Sequence, residues 1–148
     1  MSGSVAAQDL PFKPVRGRVV PLVMGALAVL ICAVVAVGMG AIGTWGPGDQ
    51  LALVGLGVLI AAFLFRYASI RAVPTGEGLV VRNLMLTRTL VWDEIMEVRF
   101  PDGDPWVSLE LDDTDVLAVM AIQRVDGERG RAEAQRLAAL VRRHQARG

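Results

Sequence analysis

The chain divides by the spacing of its apolar positions. From Val19 to Ile42 about two dozen residues pass without a charge, and from Leu51 to Phe65 about fifteen more do so with no polar stripe. At ~1.5 Å of rise per helical residue, the first run is longer than the ~30 Å hydrocarbon core of a bilayer. The second run is short alone, but Gly48 before it and Ala68 and Ile70 beyond it extend the helix, with Arg66 reaching toward headgroups. A helix lying on a membrane surface needs a polar face, and this segment has none. The pattern therefore predicts a transmembrane hairpin: an N-terminal cytoplasmic segment over 1–18, a first span over 19–43, an external loop over 44–50 and a second span over 51–68.

Beyond Arg71 the apolar runs become short and alternate with turn residues. Strands are expected over Ser69–Val73, Gly78–Arg82, Leu86–Trp92, Ile95–Phe100, Trp106–Leu111 and Val116–Ile122. The separators, Pro74–Glu77, Asn83, Pro101–Pro105 and Asp112–Asp115, are rich in residues that favour turns. In the third strand Leu90 and Trp92 are expected to point inward. From Glu128 to Gln145 the period changes to that of a helix, with Ala134, Leu137, Ala138 and Val141 on one face. Asp126 is placed to cap its start, and Arg142 and Arg143 suit the negative end of its dipole. So weakly apolar a helix is stable only against something already folded, so it should close one end of the sheet. The fold class is α+β: a two-helix hairpin, then a small antiparallel β-barrel over 69–148 capped by a helix over 128–145.

Charge orients this arrangement. Lys13, Arg16 and Arg18 precede the first run and Arg66 and Arg71 follow the second, whereas the Gly/Pro-rich connection around Trp45 carries no cation. Both flanks thus place the termini in the cytoplasm of a multi-pass inner (plasma) membrane protein. Arg18, Trp45, Arg66, Tyr67 and Arg71 are the expected interface anchors. A secretory leader also begins with basic and then apolar residues, but its apolar region is shorter than this one. Small residues recur every fourth position at Ala28, Cys32, Ala36 and Gly40, and again at Gly57 and Ala61, a spacing that suits close helix contact within the hairpin or between copies. Neither apolar run, Val19–Ile42 or Leu51–Phe65, holds an Asp, Glu, Lys, Arg or His of the kind that builds proton or ion pathways.

The segments Gly78–Arg82, Arg88–Ile95 (RTLVWDEI) and Val98–Phe100 resemble the bacterial pleckstrin-homology-like (PH-like) domains that actinobacteria attach to a pair of membrane helices. The likeness is to the family called low-molecular-weight protein antigen 6. The resemblance implies a partly open barrel capped by a helix and used for binding, with Trp92, Ile95 and Phe100 as its packing core. Asp93 and Glu94 are expected to face solvent or accept backbone N–H groups.

The remaining chemistry is sparse. With 53% hydrophobic residues, 20% charged and zero net charge, the chain is not disordered, and 148 residues are too few for a multidomain enzyme. Its single cysteine, Cys32, allows neither an internal disulfide nor a paired-thiolate metal site. Only one histidine, His144, is present, and no nucleophile elbow or phosphate-binding glycine loop occurs, so no enzyme is expected. The aspartates at 102, 104, 112, 113 and 115 lack the order of a calcium loop and read as hairpin turns. Lipid contact would fall to Arg82, Arg88, Arg142 and Arg143, but roughly eleven carboxylates against four arginines between Ala72 and Asp126 disfavour phosphoinositides. The same balance excludes nucleic acid. No cofactor or metal is expected. The sequence thus reads as a non-enzymatic scaffold at the membrane, for a protein partner or a homo-oligomer. The alternatives are an anionic-lipid sensor and a small accessory subunit of a larger membrane complex.

Overall fold

The computed structural model describes residues 9–147, so the first eight residues of the expected N-terminal segment lie outside the described residues. The described residues form two units, one of residues 17–69 and the other of residues 9–16 together with 70–147.

The helical unit consists of α1 (Arg16–Ala41, 26 residues) and α2 (Pro47–Ala68, 22 residues), both long and apolar enough to cross a membrane. Each is longer than its uncharged run. Helix α1 takes up Arg16 and Arg18, and α2 begins at Pro47, whose missing N–H is free of cost in a first turn. The carboxylate of Asp49 accepts the Gly46 N–H at 3.1 Å and closes the start of α2. Gly43, with φ +74°, supplies the turn between the helices. A Cβ on Gly57 would lie 2.9 Å from Cβ of Cys32, and one on Gly25 would lie 3.4 Å from Cα of Ala61. The small residues of the two helices therefore meet each other, so the expected stripe is used within the hairpin.

The second unit contains six antiparallel strands: β1 (Arg71–Pro74), β2 (Gly78–Arg82), β3 (Thr87–Val91), β4 (Ile95–Arg99), β5 (Trp106–Leu111) and β6 (Val116–Gln123). They form two three-stranded sheets, β1-β2-β3 and β4-β5-β6. The expected barrel does not close, because no ladder joins β3 to β4 or β1 to β6 among the described residues. Instead, a 3-10 turn over Trp92–Glu94 carries the chain from one sheet to the other. Trp92 thus belongs to this turn and not to the third strand. Gly78 is required where β2 crosses β3, since a side chain there would strike the carbonyl of Leu90.

Period-two alternation sets the core. Leu79, Val81 and Leu90 from the first sheet and Ile95, Val107 and Leu109 from the second are buried. The C-terminal helix α3 (Glu128–Gln145) contributes Ala134, Leu137, Leu140 and Val141, while Ala138 is only half-buried. It packs on β4, β6 and the 3-10 turn. Its first turn approaches the β6 backbone so closely that a side chain at Gly130 would meet the carbonyl of Gln123.

Candidate functional site

The Trp92–Ile95 motif is a corner where three elements are pinned. Trp92 is 5% exposed, and its indole Nε1–H donates to the Thr75 carbonyl at 3.1 Å. The carboxylate of Glu94 accepts the Val91 N–H at 2.8 Å, tying the turn to the end of β3. Ile95 is fully buried, and its carbonyl accepts from the Gln145 side chain at 2.7 Å. His144 stacks on Trp92 with ring centroids 4.5 Å apart and planes 9° from parallel. Burial, then the neighbouring Arg143 and Arg147, holds His144 below its ordinary pKa, against the opposing pull of Asp9. Phe100, the third expected core residue, is half-buried beneath the Arg124 guanidinium, which sits 4.5 Å from the ring centroid.

The N-terminal segment is pinned as well, an anchoring role that sequence reasoning missed. Phe12 is fully buried, exchanges backbone hydrogen bonds with Ala72 at 2.7 and 3.0 Å, and lies under the guanidinium of Arg136 at 3.9 Å. Asp126 does not cap α3, whose N-cap is Gly127 with no side-chain bond. Its two carboxylate oxygens instead accept the N–H groups of Val15 and Arg16, both at 3.2 Å, where α1 begins. That the carboxylate accepts backbone N–H groups was legible, but the groups it takes are distant in sequence. Phe12 between Pro11 and Pro14, a lone aromatic in an extended stretch, was the available signal.

The candidate lipid contacts do not form one cluster. Arg88 pairs with Asp113 at 3.6 Å and Asp115 at 3.2 Å, and Arg143 pairs with Asp9 at 3.8 Å. Arg142 is exposed on α3. Arg82 stands directly opposite Arg71 across β1 and β2, and its Nε is buried without a hydrogen-bond partner. Of the expected interface anchors, Arg18 is in the first turn of α1, Trp45 is half-buried in the connection, Arg66 and Tyr67 are in the last turn of α2 and Arg71 opens β1.

The acidic turns are largely structural. Asp102 pairs with Arg124 at 3.2 Å, and the carbonyl of Asp104 accepts from the same guanidinium at 2.7 Å. Among the described residues, no three His, Cys, Asp or Glu side chains group as metal ligands would. Two clefts open on the second sheet. One, of about 310 Å³, lies between Val98 and Phe100 and the α3 residues Arg131, Ala134 and Ala138. The other, of about 430 Å³, lies at the β5–β6 end between Met96 and Val116.

Comparison with known proteins agrees with this geometry. The chain is 36% identical over 96 residues to uncharacterized proteins of Mycobacterium tuberculosis and Mycobacterium bovis, a match covering 65% of this chain and 62% of theirs. The chain therefore spans about six-tenths of the length of the curated relatives it matches. No solved structure matches. Residues 70–140, which hold the two sheets and most of α3, match the family model described as a bacterial PH domain.

Proposed function

We propose that this protein is a membrane-anchored, non-enzymatic scaffold that presents its PH-like module on the cytoplasmic face as a docking surface for proteins. The observation that carries the reading is the seating of residues 9–16 in the same unit as residues 70–147. Helix α1 leaves that unit and α2 returns to it, so two membrane-crossing helices would bring both outer ends to one side. The cations at Lys13, Arg16, Arg18, Arg66 and Arg71 make that side the cytoplasm. A module so tethered is concentrated near membrane neighbours, and two unclosed sheets leave it clefts with which to hold them. A PH-like fold is typically a binding module, which fits this use. Membership of the low-molecular-weight protein antigen 6 family is the finer assignment we propose.

Reporter fusions test the anchor. Fluorescent protein fused after Gly148 is expected to fluoresce and alkaline phosphatase at the same position to be inactive, and the reverse result would sink the reading. A second reading, a sensor of anionic lipid, is favoured by the opposed Arg71 and Arg82 and by the arginines of α3. The full chain in nanodiscs separates the two: salt-sensitive recruitment of anionic vesicles, lost on Arg82→Ala, would favour the lipid sensor.

A further inference from the structure

On the outward face of the second sheet, Glu97 of β4 and Glu110 of β5 are register partners. Like charges directly opposite each other across a sheet are destabilising. Arg99 pairs with Glu110, but among the described residues Glu97 has neither an ion pair nor a side-chain hydrogen bond. The side chain of Asp112, at the end of β5, is in the same condition.

This face also carries apolar side chains that the fold does not use. A bulge between Ile95 and Glu97 turns Met96 into solvent, 62% exposed, and Val116, the register partner of Glu110, is 64% exposed. Met96, Val116, Glu110, Asp112 and Asp115 line the cleft of about 430 Å³. Uncompensated carboxylates beside an open apolar slot call for a ligand that is cationic and partly apolar.

We propose that this cleft receives a Lys/Arg-rich segment of another membrane protein, with one apolar side chain entering between Met96 and Val116 and its cations reaching Glu97 and Asp112. The proposal rests on the reading that the module faces the cytoplasmic side of a membrane, where segments flanking spans carry an excess of Lys and Arg. The module already holds one such segment, its own. Phe12 supplies the apolar anchor there, the Asp126 carboxylate takes the backbone N–H groups, and Lys13 and Arg16 remain exposed alongside. The Met96–Val116 cleft likewise sets apolar side chains beside carboxylates, Glu110, Asp112 and Asp115.

The test uses the full chain in nanodiscs of zwitterionic lipid and a fluorescein-labelled Ser/Arg peptide with one central Leu, read by anisotropy against empty nanodiscs. Saturable binding is expected, weakened at least about tenfold by Glu97→Lys, and also by raising salt from ~50 to ~300 mM, which shortens the Debye length. Met96→Ser with Val116→Ser is expected to give the same loss, as is a peptide whose central Leu is Ser. These positions are exposed, and an unchanged circular dichroism spectrum confirms that the variants fold. Absence of saturable binding to the wild type, or equal binding by the Glu97 and Met96/Val116 variants, would overturn the proposal. An outward-facing C-terminus would defeat the scaffold reading whatever the peptide does. Failed peptide binding with an inward C-terminus would defeat the cleft alone.

Discussion

Phe12 shows how much one side chain can tie together. It is fully buried, hydrogen-bonded through its backbone to β1 and covered by Arg136 of α3. Phe12→Ala should cost about 3–5 kcal/mol, the range for emptying a buried aromatic site, and lower the melting temperature followed by tryptophan fluorescence. Lys13→Ala, next to it but exposed, should leave the melt unchanged. His144 gives a pH dependence of definite sign. Its pKa is lowered in the fold, so between that value and about 6.5 the unfolded chain binds a proton that the folded chain refuses. Its contribution is therefore complete above about pH 6.5 and is lost on acidification through that window. His144→Phe keeps a ring on Trp92, and its melting temperature should fall less than the wild type's between pH 7.5 and pH 5. Equal falls would show that the titrating group lies elsewhere.

The elements follow from residue patterns to different degrees. The strands from Gly78 to Ile122 were legible because each is a short apolar or alternating run between turn residues, and the register pairs buried positions at Leu79–Leu90 and Leu109–Leu117. Trp92 was placed on the correct side but in the wrong element. A 3-10 turn after β3 points the indole inward just as a further strand residue would, and alternation cannot separate the two. Closure of the sheets was not legible, since it depends on pairing between distant strands, which local spacing does not encode. Small residues foretold close helix contact, but their partners emerge only from the packing. Gly57 lies against Cys32, whereas a side chain at Gly55 would meet nothing within 4 Å. Gly57→Leu should therefore separate α1 from α2 and speed maleimide labelling of Cys32, the sole cysteine, while Gly55→Leu should not. Identical labelling of the two variants would contradict the packing.

For the whole molecule, the informative feature is that a segment preceding the first apolar helix completes the unit following the second. The candidate surfaces were only partly readable for this reason. Asp126 was read as the cap of the helix that follows it, but the N–H groups it takes, of Val15 and Arg16, lie more than a hundred positions earlier. Arg88 was offered for lipid, but the fold brings Asp113 and Asp115 to it from the β5–β6 turn. Only the three-dimensional pairing shows which charges are already engaged. The same feature yields a prediction for the full chain in detergent. Deleting the residues up to Arg16 should uncover β1 and the Phe12 site and lower the melting temperature of the β-rich unit, although its six strands and α3 are unaltered. A melt identical to that of the intact protein would show that the segment merely rests on the surface.

The seating of Phe12 also imposes an order on biosynthesis. A ribosome releases this aromatic more than a hundred residues before the helix that shelters it. Until that helix emerges Phe12 lacks its cover, so the nascent protein carries a bare greasy handle while both apolar helices and all six strands are made. A product cut short before Arg136 would keep that handle without the guanidinium that covers it.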